Sequence, residues 1–221
     1  MNIKNSIRGL LHRHGTEFMK REIWDKQYSS FTYDEMNWSR KDSVIPYVEK
    51  YASGGDILDV GSGCGALGNS LGSSTYSHYL GIDVSSVAID WANTHNEKGS
   101  KNTYLLADMC SFETDRKFSV ILFADSLYYN PTPRVKSLLE TYASYLEPHG
   151  VFLMRTCGGR RAIKIVRLVE SDYEVVEKLG LEFKKDVPVL ILAFRPKTAL
   201  EAGYVGAGAF DRDSLSQMRI R

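Results

Sequence analysis

A glycine-rich segment carries the clearest chemical signal in the sequence. The segment Asp59-Val60-Gly61-Ser62-Gly63-Cys64-Gly65 lies where a short apolar run, residues 56–60, gives way to a predicted helix. Glycines at such a junction let the backbone turn tightly and approach a ligand closely. The first N–H groups of the following helix have no partners within the helix. The segment therefore predicts a ligand-binding loop.

Carboxylates accompany this loop at informative spacings. Asp83 ends the next apolar run, at about the distance from Gly61 where an acidic residue hydrogen-bonds ribose hydroxyls. Asp108 and Met109 follow a third apolar run, where a short polar side chain can hydrogen-bond an adenine amino group. Asp59 precedes the glycines, and a carboxylate there suits an α-ammonium better than a pyrophosphate. These details weigh against a bound pyrophosphate at this loop.

Two other interpretations of the same residues stay open. Gly61, Gly63 and Ala66 also fit the G-x-G-x-x-G/A pattern of NAD-binding proteins, which would make the chain an NAD(P)-dependent oxidoreductase. The sequence contains no Tyr-x-x-x-Lys pair or other recognisable hydride-transfer set. A non-catalytic protein that keeps the cofactor site for interaction is the second alternative, and cofactor turnover would separate it from an enzyme.

The elements that would position these residues alternate between strand and helix. Apolar runs predict strands at 56–60, 79–82, 103–107, 118–124 and 151–155. Between them, helices are expected from Ser85 and from Thr132, the latter with Pro133 at its start and Pro148 beyond its end. Ser39 is expected to cap an earlier helix that runs to about Tyr51. This alternation predicts a parallel sheet covered on both faces.

The C-terminal third is expected to close the sheet differently. A helical region from about 161 to 179 should end at Gly180. Strands at 181–186 and 189–194 are too close for a helical crossover, so they should pair antiparallel. The predicted fold is α/β: a doubly wound, Rossmann-like, mostly parallel seven-stranded sheet with an antiparallel C-terminal edge hairpin and helices on both faces. We expect an N-terminal helical or lid segment at 1–38, the binding domain at 39–196 and a flexible tail at 197–221.

Composition limits the classes of partner. Of 221 residues, 43% are hydrophobic and 25% charged, which is typical of a globular domain. The formal net charge of +1 gives no reason to expect nucleic acid. The sequence has no apolar run long enough to span a membrane and no signal-peptide pattern at its start. The three cysteines are far apart, which indicates free thiols in a reducing cytoplasm and no metal site.

Four segments together resemble the class I S-adenosylmethionine-dependent methyltransferases over about residues 40–195. They are ILDVGSGCGALG, YLGIDVS, LLADM and ILFADSLYYN. The resemblance implies that S-adenosylmethionine is the cofactor and S-adenosylhomocysteine the product. It also implies positions for the binding residues: the methionine part near Asp59, Gly61, Ser62, Gly63 and Gly65; the ribose on Asp83; the adenine against Val84, Asp108 and Met109; and the reacting end beside Ala124 and Asp125.

A narrower resemblance concerns the acceptor. The segments ILFADSLYYNPTP and GVFLMRTCGGRRAIKI are similar to the NodS-type branch, which methylates an amino sugar of a chitin-like oligosaccharide. This chain has Asp125 where that branch has a glutamate before LYY, so the acceptor is not carried over. We expect methylation of an N or O atom on a small molecule, sugar or glycan by a monomer or homodimer.

Residues after the fourth strand are the candidates for handling the acceptor. Asp125 would orient it or accept its proton, or would simply cap the following turn. Tyr128 and Tyr129, each an apolar ring with a polar tip, would line the acceptor pocket. Arg160 and Arg161 would bind an acidic acceptor, or would be solvated surface residues. Among the N-terminal aromatic residues, Tyr28 and Trp38 are lid candidates over the cofactor and Trp24 a lid or staple.

Overall fold

The computed structural model describes residues 10–11, 14–32, 35, 42–181 and 189–197. Its centre is a seven-stranded sheet with the spatial order β3-β2-β1-β4-β5-β7-β6. The strands are β1 (Ile57–Val60), β2 (Tyr79–Asp83), β3 (Asn102–Leu106), β4 (Phe118–Ala124), β5 (Leu146–Cys157), β6 (Tyr173–Leu181) and β7 (Val189–Pro196).

The direction of pairing confirms the predicted fold class. The first five strands pair parallel with one another. β7 lies between β5 and β6 and pairs antiparallel with both. The chain winds outward from β1 to β3, then crosses to β4 and winds the other way, so the sheet has its topological switch point between β1 and β4.

Helices cover both faces of this sheet. They are α1 (Glu17–Tyr28), α2 (Ile45–Ala52), α3 (Ala66–Ser70), α4 (Ser86–Thr94), α5 (Thr132–Ala143) and α6 (Arg160–Asp172). A short 3₁₀ turn, Leu127–Tyr129, follows β4. No helix in these described ranges is long and apolar enough to cross a membrane.

The strand side chains alternate between two cores. On β4, Ile121 and Phe123 pack in the core beneath α5 and α6. Val120, Leu122 and Ala124 pack in the opposite core, beneath α2, α3 and α4. Because successive strand residues point to opposite faces and both faces are covered, the strand is apolar throughout. This explains why the central strands stand out as continuous apolar runs.

The sequence-based boundaries in the C-terminal third were wrong. The helix begins at Arg160 and ends at Asp172, and β6 occupies Tyr173–Leu181, so residues 173–179 form a strand. Tyr173 is buried and packs its ring edge against Phe152 and Phe194. Gly180 does not stop a helix; it lies within β6, opposite Leu190. Tertiary packing on the edge of the sheet here overrides the local helical pattern.

Other helix boundaries also differ from the predicted ones. The helix expected from Ser39 begins at Ile45 without a side-chain cap, and Ser39 lies outside the described residues. α5 ends at Ala143, well before Pro148, because β5 already begins at Leu146. These shifts leave the order of elements from β1 to β5 as predicted.

A ring cluster on β5 tests the stability of the core. Phe152 is fully buried and its ring lies 5.2 Å from that of Phe194 and 6.1 Å from that of Phe123. We expect Phe152→Ala to lower the free energy of unfolding by about 3–5 kcal/mol, because it removes buried area and leaves a cavity. Urea denaturation measures this. Val176→Ala, at an exposed position on β6, is the control and should change stability by about 0.5 kcal/mol or less.

Candidate functional site

The glycine loop adopts a conformation that only glycine takes readily. Gly61, Gly63 and Gly65 have φ angles of 87°, 58° and 77°. A Cβ on Gly61 would lie 2.7 Å from the Cβ of Ser126, and one on Gly63 would lie 2.9 Å from the hydroxyl of Tyr28. Both the backbone conformation and the crowding around it require glycine. The glycine loop therefore packs closely against the segments that carry Ser126 and Tyr28.

Asp83 ties this loop to the start of α4. Its Oδ2 accepts a hydrogen bond from the Gly63 N–H at 2.9 Å, and its Oδ1 accepts one from the Ser85 N–H at 2.9 Å. The side chain is buried but lines the cleft described below.

Asp59 lies below the loop, away from the cleft. It is fully buried, and the Tyr79 hydroxyl donates to its Oδ2 at 2.5 Å. Burial, together with the Asp59 carboxylate, raises the pKa of Tyr79 well above its usual value, so the hydroxyl remains a donor. Asp59 points to the same face of β1 as Ile57, which explains why it meets Tyr79.

Asp108 at the end of β3 is paired with a lysine that lies far away in the sequence. Lys20 Nζ on α1 lies 2.6 Å from Asp108 Oδ2, and both side chains are about nine-tenths buried. The Cys110 N–H donates to Oδ1 at 2.9 Å. Burial by itself would raise the pKa of Asp108, but the bonds from Lys20 and Cys110 outweigh it and hold that pKa below its ordinary value.

Asn130 joins the β3 end to the segment after β4. Its amide nitrogen donates to the sulfur of Met109 at 3.2 Å, and its Oδ1 accepts from the Cys110 thiol at 3.6 Å. The two segments that flank the cleft are thereby held to each other.

Asp125 follows β4 in a strained backbone conformation. Its φ of 58° lies in the left-handed region, which costs a non-glycine residue about 1–3 kcal/mol. Its carboxylate forms an ion pair with the buried guanidinium of Arg155 and accepts the Cys157 N–H at 3.2 Å. Its own N–H donates to the Arg155 carbonyl at 2.8 Å. These contacts with β5 hold the turn in place.

Aromatic side chains form one wall of the site, with Trp24 and Tyr28 coming from α1. Trp24 meets Tyr129 edge to face, with ring centroids 5.0 Å apart. Tyr129 and Tyr128 are 4.7 Å apart, and Trp24 and Tyr28 are 5.9 Å apart. Burial, with a contribution from Asp83, raises the pKa of Tyr28 well above its usual value, so its hydroxyl remains protonated.

α1 is fixed above the sheet by polar contacts on a second stripe. Asp25 accepts hydrogen bonds from the hydroxyls of Ser85 and Ser86 at 2.6 and 3.0 Å, at the N-terminus of α4. Arg21 Nε donates to the Val84 carbonyl at 3.3 Å. An aspartate at a helix N-terminus is also favoured by the helix dipole. These contacts hold α1 across the carboxyl ends of the strands.

These groups surround one cleft at the switch point of the sheet. Its volume is about 920 Å³ when the space open to solvent is counted. The lining residues come from α1 and from the segments that follow β1 to β4: Lys20, Trp24, Tyr28, Gly61, Ile82, Asp83, Val84, Ala107, Asp108, Met109, Ala124, Asp125, Ser126, Tyr128, Tyr129 and Asn130.

Most of the residues singled out from the sequence meet at this cleft, but several do not line it. Asp59, Ser62, Gly63 and Gly65 form or support the loop without lining the cleft. Arg160 and Arg161 are exposed at the start of α6, also outside the lining. Trp38 lies outside the described residues.

The sequence analysis missed several lining residues, of which Lys20, Ser126 and Asn130 are polar. Lys20 could have been found by its spacing, because Lys20, Trp24 and Tyr28 recur every four residues and share one face of a helix. Ser126 had no such signal. Its buried hydroxyl faces Gly61 and has no hydrogen-bond partner among the described residues.

The central part of the chain matches a known family. Residues 57–150 fit the family model described as a methyltransferase domain. The glycine loop, Asp83, Asp108 and the turn at Asp125 all lie within the matched residues. No curated protein matches the chain by sequence.

Solved structures of methyltransferases share the fold of this chain. The N-methyltransferase NodS from Bradyrhizobium japonicum WM9, in complex with S-adenosyl-L-homocysteine, has a TM-score of 0.66 at 17% identity, over 79% of this chain and 98% of that chain. Magnesium protoporphyrin IX methyltransferase from Synechocystis PCC 6803, with the same bound molecule, has a TM-score of 0.62 at 12% identity, over 81% of this chain and 99% of that chain. The glycopeptide N-methyltransferase MtfA, complexed with sinefungin, has a TM-score of 0.60 at 15% identity, over 70% of this chain and 86% of that chain. With the family match, they confirm the resemblance to class I S-adenosylmethionine-dependent methyltransferases.

The crowding around Gly61 gives a testable expectation. In Gly61→Ala the new methyl group would meet Ser126, so the loop or the turn after β4 must shift. We expect the affinity for S-adenosylhomocysteine to fall at least about tenfold, because a small misplacement in a site of this kind costs orders of magnitude. Calorimetry measures it. Gly54→Ala is a matched control with the same φ of 87° and open space around its Cβ, so it reports backbone strain alone.

The ion pair between Arg155 and Asp125 gives a second testable expectation. Arg155→Met would leave the half-buried Asp125 carboxylate without its charged partner. We expect the free energy of unfolding to fall by up to about 3 kcal/mol, below the range for fully buried pairs because Asp125 keeps some exposure. The double variant Asp125→Asn with Arg155→Met should recover part of this loss. Equal stability of Arg155→Met and the wild type in chemical denaturation would contradict the role of the pair.

Proposed function

We propose that the chain is an S-adenosylmethionine-dependent methyltransferase that methylates an N or O atom of a small-molecule, sugar or glycan acceptor and releases S-adenosylhomocysteine. One observation carries the proposal. The glycine loop after β1, Asp83 at the end of β2, and Asp108 with Met109 after β3 contribute to a single cleft, and an aromatic wall adjoins it. Ligands of doubly wound sheets bind at this place, outside the carboxyl ends of the strands.

The groups around the cleft suit the parts of this cofactor. Asp83 is a carboxylate on the cleft lining, an acceptor suited to ribose hydroxyls, and Val84 offers an apolar surface to the adenine face. Asp108 is an ionised acceptor for the adenine amino group, beside Met109. Gly61, Ser62, Gly63 and Gly65 would surround the methionine part. In this arrangement Asp59 supports the loop from below through Tyr79 and does not bind the ammonium group directly.

Relatives of the same fold support the choice of cofactor. NodS and the magnesium protoporphyrin IX methyltransferase were crystallised with S-adenosylhomocysteine, and MtfA with sinefungin. NodS and MtfA are N-methyltransferases. The magnesium protoporphyrin IX methyltransferase and the glycopeptide methyltransferase act on different acceptors, so the acceptor has to be argued from the other end of the cleft.

That end is formed by the segment after β4 and by α1. Ala124 and Asp125 would border the transferred methyl group, with Tyr128 and Tyr129 against the acceptor. Aromatic rings with polar tips suit a sugar or an amine-bearing small molecule. Because the Asp125 carboxylate is engaged by Arg155 and the Cys157 N–H, we assign it to holding this turn and orienting the acceptor rather than to accepting a proton.

The chain's residues mainly have to align the reactants. S-adenosylmethionine would supply an electrophilic methyl group on its sulfonium. The acceptor lone pair would bond to that carbon in line as the carbon–sulfur bond breaks, S-adenosylhomocysteine would leave, and the acceptor proton would pass to solvent. Holding donor and acceptor in attack geometry is worth about 7–11 kcal/mol of the barrier. α1 covers the cleft with Trp24 and Tyr28 and thereby keeps water from the reacting end.

The proposal also covers Arg160, Arg161 and Trp38, the oligomeric state and the cellular location. Arg160 and Arg161 lie apart from the cleft and would meet only the distal part of a long, acidic acceptor. Trp38 stays a lid candidate outside the described residues. We propose a cytoplasmic monomer or homodimer, in keeping with the three free cysteines.

Calorimetry with S-adenosylmethionine, S-adenosylhomocysteine and NAD tests the cofactor directly. We expect both sulfur compounds to bind, and Asp83→Ala to weaken them at least about tenfold, because it removes a charged hydrogen-bond acceptor worth about 1.5–3 kcal/mol. Asp90→Ala, at an exposed position on α4, is the control and should bind as the wild type does. Thermal unfolding of each variant shows that the loop survives the loss of the Gly63 contact.

Turnover separates an enzyme from a protein that only binds. Incubation with labelled S-adenosylmethionine and a panel of amino sugars, chitin-like oligosaccharides and small amines or alcohols should yield a labelled product and S-adenosylhomocysteine. Binding of NAD alone would overturn the methyltransferase proposal. Cofactor binding without transfer to any acceptor class would favour the non-catalytic alternative.

A further inference from the structure

The buried pair between α1 and the end of β3 carries an inference beyond cofactor identity. Lys20 is the only residue of α1 that is buried, and its ammonium lies on Asp108 at 2.6 Å. We propose that Lys20 is a positioning residue for the cofactor: it keeps Asp108 an ionised, fixed acceptor for the adenine amino group and couples that contact to the seating of α1. This rests on the proposed function.

The first step is the geometry of the carboxylate. Oδ1 accepts the Cys110 N–H and Oδ2 accepts the Lys20 ammonium, so the plane of the carboxylate is set by one bond to each oxygen. Each oxygen keeps a second acceptor position. Asp108 lines the cleft, so those positions are available to an amino group there.

The second step is the charge state. An adenine amino group donates, so it needs a carboxylate and gains nothing from the hydroxyl of a protonated acid. Burial disfavours the charged form of Asp108, while Lys20 and the Cys110 N–H favour it and lower its pKa. Without Lys20 the burial contribution would dominate, and Asp108 would take up a proton nearer to neutral pH.

Other groups near Asp108 do not replace the lysine. The Cys110 thiol has a raised pKa because of burial and the Asp108 charge, so it is neutral. Tyr142 on α5, also with a pKa raised by burial, donates its hydroxyl to the Met109 carbonyl. Further charged groups around the same end are Arg134 on α5, 4.0 Å from the Cys110 sulfur, and Asp83 on the cleft lining.

The third step is the coupling to α1. Lys20 lies one and two helical turns before Trp24 and Tyr28, on the same face. Pairing with Asp108 therefore fixes the rotation of α1 that directs these rings into the cleft. The adenine end and the methyl-transfer end are connected through one helix.

The test is the pH dependence of S-adenosylhomocysteine affinity, measured by calorimetry on the full chain. In the wild type, the contribution of the protein's titrating groups to this affinity should not change between about pH 8 and about pH 6. Lys20→Met should lose affinity as the pH falls through the raised Asp108 pKa, by at least about tenfold relative to the wild type over this range. Comparison at each pH cancels the titration of the ligand itself.

Matched variants separate this role from a structural one. Lys20→Arg keeps the charge and should restore a flat profile. Adding Asp108→Asn to Lys20→Met supplies an acceptor that does not titrate, so the profile should again be flat. Lys26→Met, at an exposed position on the same helix, is the control for loss of a lysine. Thermal unfolding at both pH values shows that each variant is folded.

The outcomes distinguish the two proposals. If the wild type does not bind S-adenosylhomocysteine at all, the proposed function fails. If the wild type binds and Lys20→Met shows the same pH profile, whether or not its affinity is lower, the role of Lys20 is overturned and the pair only holds α1 in place.

Discussion

A carboxylate that is removed from water must receive hydrogen-bond donors from the protein, and this requirement organises the site. Four aspartates stand at or beside the ends of four neighbouring parallel strands. Asp59 is bonded by Tyr79, Asp83 by two backbone N–H groups, Asp108 by Lys20, and Asp125 by Arg155. Each donor comes from a different element, so satisfying the four carboxylates brings together β2, the glycine loop, α1 and β5.

Two of these aspartates accept hydrogen bonds from neutral donors, and the other two are paired with cationic side chains. A neutral phenol and backbone N–H groups fix Asp59 and Asp83 without cancelling their charge. Lys20 and Arg155 neutralise Asp108 and Asp125 as ion pairs. Since removal of one partner from a buried pair leaves an uncompensated charge, these two pairs are the contacts on which α1 and the turn after β4 most depend.

α1 connects this electrostatic framework to the chemistry that we propose. One stripe of the helix is held to the sheet by Arg21 and Asp25, and the adjacent stripe presents Lys20, Trp24 and Tyr28 to the cleft. A helix outside the residues that match the family model thus supplies one wall of the site.

The sequence by itself determined the order of elements from β1 to β5, the class of fold and the positions of the glycine loop, Asp83 and Asp108. These features are local: apolar runs, glycines and strand ends are set by residues that are neighbours in the chain. Only the tertiary structure decided that residues 173–179 form a strand, that Asp59 turns away from the cleft, and that Lys20 and Arg155 neutralise two of its aspartates. Those outcomes depend on which distant side chains can satisfy a buried edge or a buried charge, and that information does not lie in any one segment.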